Sequence, residues 1–235
     1  MTRRRGFLAA IEEARVAGLR RGYSGARPDV VSLVRGKPAN VLDIGCGAGM
    51  TAALVREISP GARLVGVEPD SQLAAQAGGR LDVVIAGDAE QDDTWAAVAA
   101  LAPFDLVVCA DVLEHMVDPA KFLQKLPSCL APGGQLITSI PNVRHWSTFF
   151  SLGLLGTWPR RERGIHDKTH LRFFARKDVI ALGAGAGFRC VREKRNLRLH
   201  EPWSWTMPPA RLLDFWPFRA FFTFQYLHCW EVEKP

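Results

Sequence analysis

The segment DIGCGAG, residues 43–49, has the residue types and spacing of a ligand-binding loop. It joins a short apolar run to a predicted helix. Glycine has no Cβ to keep a ligand away from the backbone, and it tolerates a positive φ in a tight turn. A GxGxG loop therefore lets a ligand lie against peptide groups at a helix N terminus. A tight turn that binds nothing is the alternative interpretation.

Acidic residues also follow the next two apolar runs. Glu68 ends LVGVE, 19 residues after Gly49, and Asp88 follows DVVIAG. A carboxylate at the first position can accept hydrogen bonds from both hydroxyls of a ribose. At the second position it can accept a bond from the amino group of adenine, beside the backbone N–H of Ala89. With Asp43, these acids are expected to line one crevice, although three solvated loop acids are the alternative.

Alternating apolar runs and helical stretches must position these residues. Near-continuous Val, Ile and Leu runs separated by helices are typical of a parallel sheet covered on both faces. The sequence thus predicts a doubly wound α/β fold, whose ligands bind beyond the carboxyl ends of the strands. The predicted strands lie at 41–45, 64–68, 82–87, 105–110 and 135–140.

The rhythm changes after residue 140. We predict an irregular lid over 141–175, rich in aromatic and basic residues, and then a helix near 177–185. The strand FRCVRE and a last strand within FFTFQYLHCWEVE follow, joined by an aromatic segment over about 197–220. No clear crossover helix joins these strands, which favours an antiparallel last strand at the sheet edge. We expect one domain over 38–235 after a basic helical arm over 1–37.

Several motifs in this order resemble those of class I S-adenosylmethionine-dependent methyltransferases. They are VLDIGCGAG, VGVEPD, AGDAE, FDLVVCADVLEH and LAPGGQL, and together they cover residues 40–142. The later segment GIHDKTHLRFF resembles a bacterial branch that is similar to the ubiquinone-biosynthesis O-methyltransferases. The resemblance implies a seven-stranded, mostly parallel sheet and S-adenosyl-L-methionine as the cofactor.

The resemblance also implies which residues bind that cofactor. The loop would hold the aminocarboxypropyl arm and the ribose of the cofactor. The end of the second strand would bind the ribose hydroxyls, the end of the third strand would bind the adenine, and the end of the fourth strand would meet the methionyl ammonium. In that order these residues are Asp43, Gly45, Gly47 and Gly49; Glu68 and Pro69; Asp88 and Ala89; and Ala110 and Asp111. A Rossmann dehydrogenase is the alternative, but it favours GxGxxG over the GxGxG found here.

Methyl transfer from a sulfonium needs the acceptor atom to be held about 3–3.5 Å from the methyl carbon and in line with the departing sulfur. Such positioning can lower the activation free energy by roughly 7–11 kcal/mol. A hydroxyl acceptor also needs a base, for which histidine is suited. We predict His115 and His170 as catalytic residues and His145, Trp146 and His166 as acceptor contacts. A structural role for each histidine is the alternative.

The sequence predicts no metal site. His166 and His170 are four residues apart, but their segment is predicted to be a loop without a matching acidic partner. The five cysteines are scattered, with no CxxC pair, so neither a disulfide framework nor a zinc site is indicated.

Charge and composition restrict the partners. The 235 residues carry a net charge of +6, and residues 1–37 hold nine Lys or Arg against three acids. No groove-reading or stacking motif accompanies this arm, so nucleic acid is not expected. No apolar run approaches the roughly 18 residues of a membrane span. We expect a cytoplasmic protein.

The sequence favours an enzyme that O-methylates a small-molecule, glycan or lipid-linked acceptor. The aromatic segments leave peripheral membrane contact or a homodimer open. N- or C-methylation and a non-catalytic cofactor-binding module are the alternatives.

Overall fold

Seven strands form one sheet in the order β3-β2-β1-β4-β5-β7-β6 in a computed structural model of the chain. The structure describes residues 25–199, 212, 214–216 and 218–233. The strands are β1 Asn40–Ile44, β2 Arg63–Glu68, β3 Val83–Ala86, β4 Phe104–Ala110, β5 Leu130–Pro141, β6 Phe188–Leu197 and β7 Thr223–Val232.

Helices connect most of these strands. They are α1 Pro28–Val31, α2 Met50–Ile58, α3 Ser71–Ala77, α4 Asp92–Ala99, α5 Pro119–Lys125, α6 Trp146–Phe149, α7 Arg176–Gly185 and α8 Arg219–Phe222. Short 3-10 turns lie at Leu113–His115 and Leu126–Cys129, and a π-helical turn at Phe150–Leu154 continues α6. None of the described helices is long and apolar enough to cross a bilayer.

Strands β1 to β5 pair in parallel, whereas β7 pairs antiparallel with both β5 and β6. Strand β7 is thus inserted between β5 and the edge strand. The predicted fold class is confirmed, including the antiparallel last strand. The four-residue α8 directly precedes β7 in the described part of the connection from β6.

The sheet separates two apolar cores, because alternate residues of each buried strand face opposite sides. On one face, Val41 packs with apolar residues of α1 and α2, including the fully buried Val30, and with Leu33, which follows α1. On the other face, Leu42 and Ile44 pack with apolar side chains of α5 and α7. Covered on both faces, β1 is buried along almost its whole length, which explains why Val41, Leu42 and Ile44 are apolar.

Three elements differ from the prediction. Strand β5 already begins at Leu130, where it pairs with Phe104 before a register shift, so it starts five residues before the predicted strand at 135–140. Strand β6 extends to Leu197 because β7 pairs with it over its full length. The lid over 141–175 is not wholly irregular, since α6 and the π-helical turn occupy 146–154.

Most of the predicted basic arm lies outside the described residues, as does the aromatic run over 201–209. The described end of the arm packs on the sheet: Val30 and Leu33 are buried, and Arg27 reaches the carboxyl ends of the strands. The division into an arm and a single domain stays a prediction.

Candidate active site

A cleft of about 1110 Å³ opens at the carboxyl ends of β1 to β5. The glycine loop and the ends of β2 and β3 line one side of it. The other side is formed by the segment before α1, by the loop between β4 and α5, by the lid and by the start of β7. The cleft is therefore divided between residues that directly follow parallel strands and residues that arrive from distant parts of the chain.

The glycine loop adopts a conformation that other residues would adopt only under strain. Gly45 and Gly47 have φ values of 66° and 54°, and both line the cleft. A Cβ on Gly45 would lie 2.7 Å from Cγ2 of Val112. Gly49, predicted to contact the cofactor, does not line the cleft: it caps α2 at a φ of 80° and packs toward Leu81. Its glycine is required by the turn into the helix.

Glu68 fixes this loop from the end of β2. One carboxylate oxygen accepts a hydrogen bond from the backbone N–H of Gly47 at 2.8 Å, and the other from that of Asp70 at 3.0 Å. Burial raises the pKa of Glu68, and these two hydrogen bonds oppose that rise. A carboxylate has about four acceptor positions, so the side chain retains the capacity for a ribose diol. Pro69 lines the cleft beside it.

Asp43 lies beneath the loop at 3% exposure. Burial raises its pKa to about 7, and its Oδ2 atom has no hydrogen-bond partner. An uncompensated buried carboxyl group is costly to the fold. A cationic or hydroxyl-bearing ligand above the loop would compensate it, which fits the predicted role of Asp43.

The end of β3 supplies the third acid. Asp88 and Ala89 both line the cleft, and the carboxylate of Asp88 accepts a hydrogen bond from the N–H of Glu90 at 2.9 Å. Glu90 in turn binds the N–H groups of Val117 and Asp118 at 2.8 and 2.7 Å. These contacts hold the loop after β3 against the segment that carries His115.

Asp111 lies at the centre of the cleft in a left-handed conformation, with a φ of 58°. Its carboxylate accepts hydrogen bonds from Arg27, from Ser139 at 3.2 Å and from Gln225 at 2.7 Å. A strained backbone held by several side chains is typical of a functional position. Ala110 lines the cleft beside it.

Arg27 is the main cleft residue that the sequence analysis missed. Its guanidinium binds Asp111, Asp29 and Ser139, and its side chain is 20% exposed. These carboxylates keep the pKa of Arg27 above its ordinary value, against the opposing effect of burial. It belongs to no motif, so the sequence counted it only as one charge of the basic arm. Gln225, on β7, was missed for the same reason.

His115 and His170 meet at the cleft, as their shared catalytic prediction requires. Their rings lie edge to face with centroids 4.7 Å apart. The Nδ1 atom of His115 is 3.3 Å from the carbonyl of Thr169, and that of His170 is 3.0 Å from the carbonyl of Ile165. A carbonyl only accepts, so each Nδ1 carries the proton and each neutral ring keeps its lone pair on Nε2. Burial lowers the pKa of both histidines, and for His170 the neighbouring His115 lowers it further.

Glu114 is buried beside these rings, at 1% exposure. Burial, followed by repulsion from Asp111, raises its pKa well above the ordinary value. Neither carboxyl oxygen has a hydrogen-bond partner, and Oε1 lies 3.9 Å from Nε2 of His170. Its backbone carbonyl accepts from the N–H of Leu171 at 2.8 Å, which anchors the lid.

Three of these side chains have the donor types of a cation site. One ligand atom each from Glu114, His115 and His170 lies within 4.8 Å of the others. The orphaned carboxyl oxygens and the two imidazoles with Nδ1–H bonded to carbonyls fit a divalent ion. The pair considered from the sequence, His166 with His170, is not part of this group: His166 bonds Thr148 through Nε2 at 3.0 Å.

The three predicted acceptor contacts lie inside the lid, and none of them lines the cleft. His145 is fully buried, bonding Ser147 through Nδ1 at 2.8 Å and the carbonyl of Arg198 through Nε2 at 2.9 Å. The indole N–H of Trp146 donates to the carbonyl of Leu199 at 2.6 Å. His166 is fully buried as well. These contacts hold the lid together, and the role of the three residues as acceptor contacts stays a prediction.

Comparison with known proteins agrees with this geometry. A family model described as a methyltransferase domain matches residues 19–193. The ubiquinone biosynthesis O-methyltransferase of Cereibacter sphaeroides is 30% identical over 176 residues, which cover 71% of this chain and 67% of that protein. The enzyme of the same name from Bradyrhizobium diazoefficiens is 33% identical over 116 residues, covering 49% of this chain and 44% of the relative.

Solved structures share the fold. An S-adenosylmethionine-dependent methyltransferase from Thermotoga maritima, described as a possible histamine N-methyltransferase, has a TM-score of 0.61 and 19% identity over 95% of this chain and 96% of its own. An S-adenosylmethionine-dependent methyltransferase from Mesorhizobium loti has a TM-score of 0.58 and 16% identity over 86% and 95% of the two chains.

Proposed function

Because this chain belongs to the methyltransferase-domain family, whose cofactor here is S-adenosylmethionine, we propose that it methylates a hydroxyl oxygen of its acceptor. The observation that carries the proposal is the pair His115 and His170, which both line the cleft and whose rings lie edge to face with centroids 4.7 Å apart. A hydroxyl acceptor needs such a base to take its proton. The relatives named O-methyltransferases also support a hydroxyl acceptor.

The cofactor supplies a methyl group already activated on sulfur, and the chain supplies everything else. Asp43 and Glu68 with the glycine loop bind its polar groups, and Asp88 with Ala89 binds the adenine. His115 or His170, neutral at pH 7 because burial lowers its pKa, takes the hydroxyl proton at Nε2. These residue roles are part of the proposal.

The test measures turnover and cofactor binding separately. Titration of the purified chain with S-adenosylhomocysteine gives the affinity, and transfer of labelled methyl groups to a panel of catechols, phenols and sugars gives the rate. We expect His115→Ala combined with His170→Ala to lower kcat by about 10²–10⁴-fold, as loss of a base does. The affinity for S-adenosylhomocysteine serves as the internal control and should stay within about twofold. Unchanged kcat in the double variant would contradict O-methylation through these imidazoles.

N-methylation is the second candidate for the reaction. An amine that is neutral at the working pH needs no base, and one structural neighbour is described as a possible histamine N-methyltransferase. Activity on amines that survives the double histidine variant would favour it. Bound S-adenosylhomocysteine without turnover on any acceptor would favour a non-catalytic module.

A divalent cation is a second candidate for how the hydroxyl loses its proton. Glu114, His115 and His170 provide the donor set. Dialysis against a chelator, followed by addition of Mg²⁺ or Zn²⁺, separates the two cases. A base mechanism leaves kcat unchanged after dialysis, whereas a metal-dependent one loses activity and regains it with the ion.

Exposed apolar side chains on the lid support a lipid-linked acceptor, with peripheral membrane contact or a homodimer as the other proposed uses. The exposed residues of this lid surface are Phe149, Phe150, Leu152, Leu154 and Leu155. Trp216, at 82% exposure, lies in the aromatic segment before β7. Sedimentation with anionic vesicles and light scattering after gel filtration test these uses. The cytoplasmic location stays a prediction.

A further inference from the structure

Acids alone supply the charged side chains on the cofactor side of the cleft, whereas the acceptor side carries arginines as well as acids. The cofactor side is lined by the acids of the strand ends: Asp43, Glu68, Asp70, Asp88 and Glu90. The lid and the end of β6 line the other side with the guanidinium groups of Arg161, Arg163 and Arg198. An acceptor that bears negative charge would be attracted to the second side and repelled from the first.

The lid arginines lie on a fixed loop. The N–H of Arg161 donates to the carbonyl of His166 at 2.9 Å, and the N–H of Lys168 donates to the carbonyl of Arg161 at 2.9 Å. Glu162, between the two arginines, receives Nζ of Lys168 on both carboxylate oxygens at 2.7 Å. Lys168 therefore neutralises the negative charge of Glu162. Arg163 is exposed and lines the cleft.

Arg198 is held from several directions at the other wall. Its guanidinium lies over the ring of Phe224, 4.2 Å from the ring centroid. Its backbone N–H donates to the carbonyl of Phe222 at 2.9 Å, and its carbonyl accepts from Nε2 of His145 at 2.9 Å. The stacked ring orients the planar guanidinium, and both side chains line the cleft. The buried His145 thus positions an arginine at the cleft wall.

The carboxylates on the acceptor side hold parts of the protein. Asp111 binds Arg27, Ser139 and Gln225, and Asp167 accepts from the N–H and the hydroxyl of Thr169 at 2.8 and 2.6 Å. A guanidinium has five N–H donors, so a contact within the protein leaves others for a ligand.

We propose that the methyl acceptor carries an anionic group, a carboxylate or a phosphate, which Arg163 and Arg198 bind with Arg161 beside them. The proposal rests on the methyl transfer proposed above and names its substrate class. Guanidinium groups on two walls match the planar geometry of a carboxylate and the several oxygens of a phosphate. Bound there, the anion orients the acceptor so that its hydroxyl faces His115 and His170.

The experiment uses matched probes on the full chain saturated with S-adenosylhomocysteine. The carboxylate arm compares 3,4-dihydroxybenzoate with catechol, and the phosphate arm compares phenyl phosphate with phenol, by calorimetry or ligand-observed NMR. We expect at least one anion to bind about tenfold or more tightly than its neutral partner. The arm in which this occurs identifies the anion. Equal binding of each anion and its neutral partner, or no binding of either anion at about 10 mM, would overturn the proposal.

The variants Arg163→Gln and Arg198→Gln locate the anion. Each should weaken binding of the preferred anion about tenfold and leave that of its neutral partner unchanged. Arg163 is exposed, so its substitution removes no packing and remains informative if the other variant is unstable. Arg63→Gln is the matched control, because Arg63 is exposed at the start of β2, at the opposite end of the sheet. Anion binding that is unchanged in both cleft variants would overturn the proposal.

Affinity for S-adenosylhomocysteine separates the two proposals. If the wild-type chain binds S-adenosylhomocysteine but shows no preference for anions, only the anionic acceptor is wrong. If it does not bind S-adenosylhomocysteine at all, the proposed methyl transfer itself is wrong.

Discussion

The two sides of the cleft are built differently. On the cofactor side, the lining acids lie at or near the carboxyl ends of parallel strands, and backbone N–H groups hold several of their carboxylates, as those of Gly47 and Asp70 hold Glu68. On the acceptor side, the charged groups come from segments far apart in the chain. Arg27 precedes the sheet and contacts Asp111, 84 residues later, and His170 lies against His115, 55 residues earlier.

This difference shows how one fold can keep a cofactor and change its acceptor. The cofactor side is fixed by the pairing of buried strands, so its geometry cannot change without disturbing the core. The acceptor side depends on side-chain contacts between a lid, two antiparallel strands and an N-terminal segment. Such contacts can be altered one at a time, and loops of this kind usually determine specificity.

The largest effect is expected where the cofactor side depends on one carboxylate. Glu68→Ala removes the acceptor of two backbone hydrogen bonds and the partner expected for the ribose. Hydrogen bonds to charged groups contribute about 1.5–3 kcal/mol each. We therefore expect the affinity for S-adenosylhomocysteine to fall by ~10²–10³-fold in calorimetry. Glu57→Ala, an exposed residue of α2, is the control. Equal affinities in both variants would refute the assignment of Glu68.

A second effect concerns the stability of the unliganded protein, because the buried carboxyl group of Asp43 lowers the free energy of unfolding when it is ionised. Asp43 has a pKa of about 7 in the folded chain, raised by burial, against 3.8 when unfolded. Because the pKa is higher in the folded chain, Asp43 favours folding while it is protonated. This contribution to the free energy of unfolding is complete below pH 4 and is lost as the pH rises toward 7. Since one pKa unit corresponds to about 1.4 kcal/mol, Asp43→Asn should be more stable on the order of 2–4 kcal/mol at pH 8.

Urea unfolding at several pH values measures this effect. The gain of Asp43→Asn over the wild type should shrink from pH 8 to pH 5, while Glu57→Gln should show no such trend. The same variant should bind S-adenosylhomocysteine more weakly, because the neutral amide cannot compensate the positively charged ammonium group of that ligand. A gain in stability that does not depend on pH would contradict the buried-charge explanation.

A third, smaller effect tests whether the acceptor side also supports cofactor binding. Arg27→Met frees Asp111, next to the position that the resemblance assigns to the methionyl ammonium. Arg27 is partly exposed, so the loss should be below that of a fully buried ion pair. We expect about a tenfold fall in affinity for S-adenosylhomocysteine, near 1.4 kcal/mol. Arg63→Met is the control, and an unchanged affinity in Arg27→Met would limit Arg27 to a structural role.

The sequence could predict the cofactor side because its signals are local. Glu68 and Asp88 each end an apolar run, and parallel strands bring such ends to one edge. Even there, Gly49 was assigned to the cofactor although its backbone only begins α2. Most contacts of the acceptor side could not be predicted, since no local pattern joins Arg27 or Gln225 to Asp111. His170 was found through a resemblance, whereas His145, Trp146 and His166 have the same residue types but bind the lid.

The smallest effect is expected from pH itself, and it tests the histidines of the acceptor side. Burial lowers the pKa of His115 and His170 below 6.5, so both rings are neutral at pH 7. Raising the pH from 7 to 8 should therefore change kcat/KM by less than about twofold for an acceptor that does not itself titrate there. At a pH below this lowered pKa, protonation removes the base, so kcat/KM should fall toward a tenfold loss per pH unit, and the fall should begin at a lower pH than for a solvent-exposed imidazole. A matched profile of S-adenosylhomocysteine affinity shows whether acid weakens the cofactor side instead. An activity that rises steadily from pH 7 to 9 would contradict a neutral imidazole base, because it would indicate a group that is still protonated at pH 7.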